Sequence, residues 1–187
     1  MAGFRENWKL ILGEIATALS AVSDEDVERL VEAILGAEKV FVVGLGRVLL
    51  SLQAFVKRLN HLGVRAWFVG EMNEPAITAR DLLIVGSGSG ESAVPVAIAG
   101  IAKKHGARTV LLGSNGRSTL ARTTDFFVRI PVRTKLALAD EIPSRQIMSS
   151  LFEQCLLIVG DAVALRILER KSITDLASLW SLHANLE

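Results

Sequence analysis

The chain has 187 residues, of which 50% are hydrophobic and 22% charged, and its formal net charge at pH 7 is +1. A near-neutral chain without a basic block and with only 5% aromatic residues lacks the charge and the stacking side chains of a nucleic-acid-binding protein. No apolar run has the length of a membrane span, no apolar signal region begins the chain, and the single Cys155 excludes an internal disulfide. We therefore expect a cytoplasmic protein with one domain over residues 1–187 and no nucleic-acid or membrane partner.

Two helices are predicted at the start of the chain. Apolar residues recur at helical spacing between Phe4 and Val22. Ser23 is a typical N-cap, three acidic residues follow it, and Gly36 is expected to end the second helix after Leu35.

From Val40 onward, short apolar runs alternate with helical patterns. The runs predict strands at Val40–Val43, Ala66–Val69, Leu82–Val85, Thr109–Leu112 and Phe126–Ile130. Helices are predicted over Arg47–His61, Ala93–His105 and Ser144–Glu169, with a shorter one near Asp175–Leu182. Strands that are apolar throughout and alternate with helices predict an α/β fold, a three-layer doubly wound domain with a five-stranded parallel sheet and terminal helices. The loop from Pro131 to Pro143 is long enough to expect a function.

The third predicted strand ends in a segment rich in glycine and serine. Its sequence is Ser87-Gly88-Ser89-Gly90-Glu91-Ser92, and a helix is predicted to start at Ala93. Such a junction presents backbone N–H groups and hydroxyls to one point at the positive end of a helix dipole. We predict a phosphate site here that uses uncharged donors rather than lysines, with Ser87, Ser89 and Ser92 as ligands; the alternative is a surface turn. Glu91 is counted among the binding residues, although the helix dipole alone favours an acid there.

Other phosphate and metal motifs are missing from the sequence. Gly44-Leu45-Gly46-Arg47 resembles the start of a dinucleotide fingerprint, but Leu49 stands where the third glycine is needed. There is no Gly-x4-Gly-Lys-Ser/Thr string, and no group of Cys, His and Asp has the spacing of metal ligands. We therefore expect no cofactor and no metal.

Several strings together resemble the sugar isomerase (SIS) domain family, and within it the 6-phospho-3-hexuloisomerases. These strings are Val43–Arg47, Ala54–Gly63, Val69–Glu71, Ser87–Ser92, Arg133–Ala137, Phe152–Glu153 and His183–Glu187. The resemblance implies a five-stranded parallel sheet flanked by helices, and a homotetramer with active sites near subunit boundaries. It also implies conversion of D-arabino-hex-3-ulose 6-phosphate to fructose 6-phosphate, in formaldehyde fixation by the ribulose monophosphate pathway.

One position departs from the family pattern. The first family loop usually reads Gly-x-Gly-Arg-Ser-Gly and its serine helps to hold the phosphate, whereas this chain has Val48 and Leu49. Loss of one hydrogen bond to a charged group costs about 1.5–3 kcal/mol, or roughly one to two decades in affinity. Ser51, one helical turn further on, is a candidate replacement donor.

The isomerisation needs a base that removes the C2 proton to give an enediol, and an acid or relay between the two oxygens. The resemblance implies that Glu153, in an apolar helical stretch, is this base; the alternative is a solvated outer-face residue. It also implies that His61 acts in ring opening or proton relay, and that His183 reaches a neighbouring subunit's site. The alternatives are a helix cap for His61 and a frayed terminus for His183.

The loop after the first strand supplies two further candidates. Gly46 and Arg47 are expected to bind the sugar or its phosphate, the alternative for Arg47 being a structural ion pair. Ser114 and Asn115, after the fourth strand, are either a turn or additional ligand contacts.

Two other functions stay open. A phosphosugar-binding module without catalysis is compatible with the departure at Val48 and Leu49, although no DNA-binding segment is attached. An isomerase of a different sugar phosphate is the second alternative, and the Lys135-Leu136-Ala137 string and the terminal pentapeptide argue against it.

Overall fold

Five parallel strands form one sheet in the computed structural model, which describes residues 3–186. The strands are β1 Val40–Val43, β2 Ala66–Phe68, β3 Leu82–Ser87, β4 Arg108–Gly113 and β5 Phe126–Arg129, in the order β2-β1-β3-β4-β5. Every residue of β1 and β3 is buried, as expected for strands that are covered on both faces. The predicted α/β class and the five-stranded parallel sheet are confirmed.

Six α-helices and a terminal 3₁₀-helix surround the described sheet. They are α1 Phe4–Leu19, α2 Asp24–Gly36, α3 Arg47–His61, α4 Ala93–Lys104, α5 Thr119–Thr123, α6 Ser150–Arg170 and the 3₁₀-helix Leu176–Leu182. Ser23 caps α2 as predicted, because its hydroxyl accepts a hydrogen bond from Asp26 N at 3.2 Å.

Side chains of the strands alternate between two separate cores. Val42 and Ile84 pack on the side of α1, α2, α3 and α6, whereas Phe41 and Leu83 pack on the side of α4 and α5. The crossover after β1 thus lies on one face of the sheet and the crossover after β3 on the other. The crevice where the two crossovers diverge is the usual position of a ligand in a doubly wound sheet.

The largest difference from the sequence prediction is the start of α6, which begins at Ser150 and not at Ser144. The carboxylate of Glu14, on α1, accepts hydrogen bonds from Ser144 Oγ at 2.7 Å and Arg145 N at 2.8 Å. Met148 then has a φ of 50°, in the left-handed region, which no helix can include. The connection between β5 and α6 therefore extends to Ser149.

Two smaller elements also differ. Helix α5 was not predicted; Ser118 caps it by accepting a hydrogen bond from Ala121 N at 3.1 Å. The last helix is a 3₁₀-helix. Met1, Ala2 and Glu187, which ends the terminal string, lie outside the described residues. No helix within residues 3–186 is long and apolar enough to cross a membrane.

Candidate active site

Three helices begin around one small cavity at the crevice between β1 and β3. Gly46 precedes α3, Ser92 precedes α4 and Ser149 precedes α6. The cavity has a volume of about 140 Å³ and is lined by Leu45, Val48, Gly86, Ser87, Gly88, Ser89, Ser92, Thr134, Lys135, Ser149 and Phe152. Helix N-termini carry partial positive charge and free N–H groups, so their convergence favours an anion. We call this space the phosphate cavity.

The serines of the segment 87–92, the hydroxyl loop, face this cavity. Ser87 and Ser89 are 5% and 6% exposed, and their hydroxyls accept hydrogen bonds from Gly90 N at 3.1 Å and Glu91 N at 3.4 Å. Ser92 makes no capping hydrogen bond with its side chain, and its hydroxyl is therefore free to serve a ligand. All three predicted phosphate ligands thus line one cavity.

Gly90 fixes the shape of the hydroxyl loop. Its φ of 67° lies in the left-handed region, and a Cβ there would lie 2.1 Å from Ser118 Oγ. Only glycine satisfies both conditions. The hydroxyl loop therefore packs directly against the cap of α5.

Glu91 points to α5 instead of the phosphate cavity. Its Oε1 accepts a hydrogen bond from Thr119 N at 2.8 Å, at the start of that helix. This backbone hydrogen bond, followed by one from the Thr119 side chain, holds the pKa of the Glu91 carboxyl below its usual range. The geometry favours a role in fixing the loop over the predicted contact with substrate.

Ser114 and Asn115 also stabilise the hydroxyl loop, from the side that faces away from the phosphate cavity. Their backbone N–H groups donate to Gly88 O at 3.1 and 3.2 Å, and Asn115 Nδ2 donates to Ser89 O at 3.3 Å. Both residues are buried and neither lines the phosphate cavity. Of the two interpretations, the turn agrees with these contacts.

Glu153 lies in a second cleft next to the phosphate cavity. Phe152 lines the cavity, and Glu153, the next residue of α6, lines a cleft of about 240 Å³ together with Arg47 and Gln154. Arg47 Nε and Glu153 Oε2 form an ion pair in which the Glu153 side chain is 13% exposed and that of Arg47 is 65% exposed. The structure thus brings the predicted base and the predicted arginine together, beside the phosphate cavity.

Ser51 does not replace the missing loop serine. It lines the cleft of Glu153, and its Oγ donates to Glu153 O at 2.9 Å. Val48 lines the phosphate cavity instead, where its Cγ1 would lie only 2.9 Å from a Cβ at Gly86. An apolar side chain therefore fills the position that holds a hydroxyl in the family pattern. The neighbouring Gly46 has a φ of 56° and open space around it.

His61 and His183 lie together, but in a third place. Their rings stack with centroids 5.0 Å apart, and Trp180 lies 5.2 Å from His183. They line an apolar cavity of about 570 Å³ that shares no residue with the phosphate cavity or with the cleft of Glu153. Within the described chain, the two histidines and the predicted base are therefore separate.

The environment of His61 favours the neutral form of its imidazole. Burial, and then the charges of Lys57 and Arg58 and the nearby His183, lower the pKa of His61 below its usual value. The Nε2 atom of His61 is buried and has no hydrogen-bond partner among residues 3–186.

Sequence reasoning missed three residues of the phosphate cavity, Thr134, Lys135 and Ser149. Thr134 and Lys135 belong to one of the family strings, but nothing in their local pattern indicates a position beside the hydroxyl loop. Ser149 was missed because the predicted helix begins at Ser144, which puts Ser149 inside the helix and not at its N-terminus. Lys135 places a cationic side chain at the wall of the cavity, beside the uncharged donors that the sequence predicts. No set of three or more His, Cys, Asp or Glu residues within 3–186 is arranged to hold a metal ion.

Comparison with known proteins places the whole chain in a family. The family model of the SIS domain matches residues 33–158. The chain is 36% identical over 177 residues to the 3-hexulose-6-phosphate isomerase of Bacillus subtilis, covering 95% of each chain. It is 39% identical over 181 residues to the enzyme of the same name from Mycobacterium gastri, covering 97% of this chain and 90% of the relative.

A solved structure is also similar. It is the crystal structure of a hypothetical protein from Methanococcus jannaschii, for which a molecular function of 3-hexulose-6-phosphate isomerase was inferred. It superposes with a TM-score of 0.82 and 26% sequence identity, covering 97% of this chain and 99% of that chain. The fold, the family match and the full-length relatives agree, and the chain belongs to the SIS domain family.

Proposed function

We propose that this chain is a 3-hexulose-6-phosphate isomerase that interconverts D-arabino-hex-3-ulose 6-phosphate and fructose 6-phosphate. The observation that carries the proposal is the position of Glu153, a largely buried carboxylate one residue from Phe152 at the wall of the phosphate cavity. A substrate whose phosphate occupies that cavity can extend its carbon chain into the cleft of Glu153. The names of the full-length relatives support the same reaction.

The phosphate is held by the hydroxyl loop. Ser87, Ser89 and Ser92 donate to its oxygens, and the N-termini of α3, α4 and α6 stabilise its charge. Gly46 lets the backbone before α3 approach the ligand. Arg47 orients the Glu153 carboxylate through their ion pair and contacts the sugar hydroxyls.

Glu153 carries the proton between the two carbons. Its carboxylate removes the proton on C2, the electrons of that C–H bond form a C2–C3 double bond, and the negative charge moves to the C3 oxygen of a 2,3-enediolate. The same carboxyl then returns the proton to C3 while the hydroxyl proton on O2 passes to O3 and the C2 carbonyl forms. Atoms and charge balance without a metal or an organic cofactor. The proton transfer between O2 and O3 still needs a second group.

His61 and His183 supply that second group from a neighbouring subunit. Helix α3 has 15 residues and is about 22 Å long, with Arg47 at its first turn and His61 at its last. A second copy packed in antiparallel fashion along α3 and α6 brings its own His61 close to Glu153.

The surface formed by α3, α6 and the 3₁₀-helix has the composition of an interface. Leu50, Leu165 and Trp180 are 63%, 63% and 72% exposed, and Leu157 and Leu176 are exposed beside them. Exposed apolar patches of this kind mark protein–protein contacts. We take this pairing as one interface of the homotetramer, and the chain as a single SIS domain over 1–187. It acts in the cytoplasm, in formaldehyde fixation by the ribulose monophosphate pathway.

Val48 favours one alternative, a phosphosugar-binding module without turnover. Its side chain removes a hydroxyl from the phosphate cavity and thereby lowers the expected affinity for a sugar phosphate. The ion pair of Arg47 and Glu153 argues against this alternative, because phosphate binding alone does not require a carboxylate next to the cavity.

A coupled assay separates the two functions. Purified chain is mixed with ribulose 5-phosphate, formaldehyde and a hexulose-phosphate synthase, and fructose 6-phosphate is followed over time. We expect it to form only when the chain is present. If none forms while fructose 6-phosphate still raises the melting temperature, the protein is a binding module.

A further inference from the structure

A closed loop after β5 forms one wall of the phosphate cavity. It spans residues 133–141, and we call it the Thr134 loop. Its ends are joined by backbone hydrogen bonds from Arg133 N to Ile142 O at 2.9 Å and from Ile142 N to Pro131 O at 2.7 Å. Two of its residues, Thr134 and Lys135, line the cavity.

The carboxylate of Glu141 holds this loop together from inside. Glu141 is 8% exposed, and it accepts hydrogen bonds from Thr134 N at 3.1 Å, Thr134 Oγ1 at 2.9 Å and Leu138 N at 3.0 Å. These bonds join the two turns of the loop, 134–137 and 138–141. Both carboxylate oxygens act as acceptors, so an amide in their place would turn an N–H₂ group toward other donors.

Thr134 connects the Thr134 loop to the hydroxyl loop. It is 5% exposed, and a Cβ on Gly88 would lie 3.0 Å from its Cγ2 methyl. The two loops are therefore in close contact, and Lys135 directly follows the contact residue. Any shift of Thr134 changes the position of Lys135 relative to the serines.

Lys135 is the one charged residue among the described residues that line the phosphate cavity. The nearby cation Arg47 is ion-paired with Glu153 in the adjacent cleft. We propose that Lys135 binds the phosphate group of the substrate and that Glu141 is a positioning residue that holds Lys135 and Thr134 in place. The inference rests on the proposed function for the identity of the substrate, and it adds the missing positive charge of the site.

The test uses two variants and a matched control. Glu141→Gln keeps the size of the side chain but turns an amide N–H₂ group toward the N–H and O–H donors of Thr134 and Leu138. Lys135→Met removes the positive charge. The control is Asp125→Asn, because Asp125 accepts hydrogen bonds from Thr109 N at 2.7 Å and Thr109 Oγ1 at 2.8 Å but does not line the cavity. For each protein, kcat and KM of the isomerisation, the Kd of inorganic phosphate by calorimetry and the melting temperature are measured.

We expect Glu141→Gln and Lys135→Met each to raise KM and the Kd of phosphate by roughly tenfold, the loss of one charge-assisted hydrogen bond. The kcat should stay within about threefold of the parent, because the chemistry at Glu153 is untouched. Combining the two changes should weaken binding little further, since both act through one contact. Asp125→Asn should lower the melting temperature and leave KM and the phosphate Kd unchanged.

Two results overturn the inference. In one, Glu141→Gln behaves like Asp125→Asn, with lower stability and unchanged phosphate binding; in the other, Lys135→Met binds phosphate as the parent does. If Glu141→Gln does not fold, Thr134→Val removes one hydroxyl partner and keeps a methyl against Gly88, and the same rise in KM and Kd is expected at about threefold. A chain that makes no fructose 6-phosphate, but loses phosphate affinity in both variants, contradicts the proposed reaction and supports this inference.

Discussion

At the scale of single residues, the proposed chemistry assigns proton transfer to Glu153 and phosphate binding to the serines of the hydroxyl loop. Glu153 lines its own cleft, and the serines line the phosphate cavity. Removal of the carboxylate should therefore stop proton transfer without weakening phosphate binding.

Glu153→Gln tests directly whether turnover and phosphate binding depend on different residues. We expect kcat to fall by about 10² to 10⁴-fold, while the melting-temperature shift caused by fructose 6-phosphate is kept. Glu169→Gln, on the last turn of the same helix, is the control and should retain full turnover. Retained turnover in Glu153→Gln would remove this residue from the mechanism.

Val48 allows the opposite test, a gain of binding. Val48→Ser restores a hydroxyl in the phosphate cavity and should lower KM by about tenfold, as one added hydrogen bond to a charged group. Val48→Ala removes the same methyl groups, adds no donor, and should leave KM unchanged or higher. Equal KM values in the two variants would mean that position 48 does not reach the phosphate. Steady-state kinetics on both proteins decide the matter.

At the scale of the elements, the pattern of the sequence predicts what is local. The strands, helix α3, the start of α4 and the Ser23 cap follow from apolar periodicity and from turn residues that lie next to one another in sequence. The start of α6 does not, because Glu14 holds Ser144 and Arg145 from 130 residues away. The position of Ser149 in the site depends on this same connection, and that of Lys135 depends on the contact between Thr134 and Gly88, which are distant in sequence.

The end of α3 carries a pH-dependent contribution to stability. The pKa of His61 is lowered in the folded chain, mainly by burial, whereas it is about 6.5 when the chain unfolds. The unfolded state then binds the proton more readily, so this contribution is complete above pH of about 6.5 and is lost as the pH falls through the lowered folded value.

Urea unfolding at pH of about 7.5 and 5.5 measures this contribution of His61 to the free energy of unfolding. We expect the free energy of unfolding to fall between the two pH values, and to fall less in His61→Gln. His105→Gln replaces an exposed histidine at the end of α4 and should behave like the parent. If the free energy of unfolding of His61→Gln falls as much as that of the parent between the two pH values, the burial of His61 is not the cause of the lower stability at acidic pH.

At the scale of the whole molecule, the site we propose needs two chains. His61 and His183 share no cavity with Glu153 within one chain, and the face that separates them is apolar and exposed. Nothing in a single sequence states how two copies meet, and for this reason the histidines could be assigned only through the family resemblance.

Mixing two inactive variants tests the shared site. Glu153→Gln and His61→Gln each lack one group, but a mixed dimer of the two contains one complete site. After subunit exchange, we expect about a quarter of the parent activity to return, from random pairing in a two-fold dimer. Mixtures that stay inactive, although exchange is demonstrated by mass, would place both groups in one chain or remove His61 from the reaction.

The most direct measurement of the central claim is a crystal structure of Glu153→Gln grown with fructose 6-phosphate. The account predicts phosphate oxygens within hydrogen-bond distance of Ser87, Ser89 and Ser92, and the sugar carbons C2 and C3 next to residue 153. Sugar phosphate bound at a different place, with the phosphate cavity vacant, would contradict it.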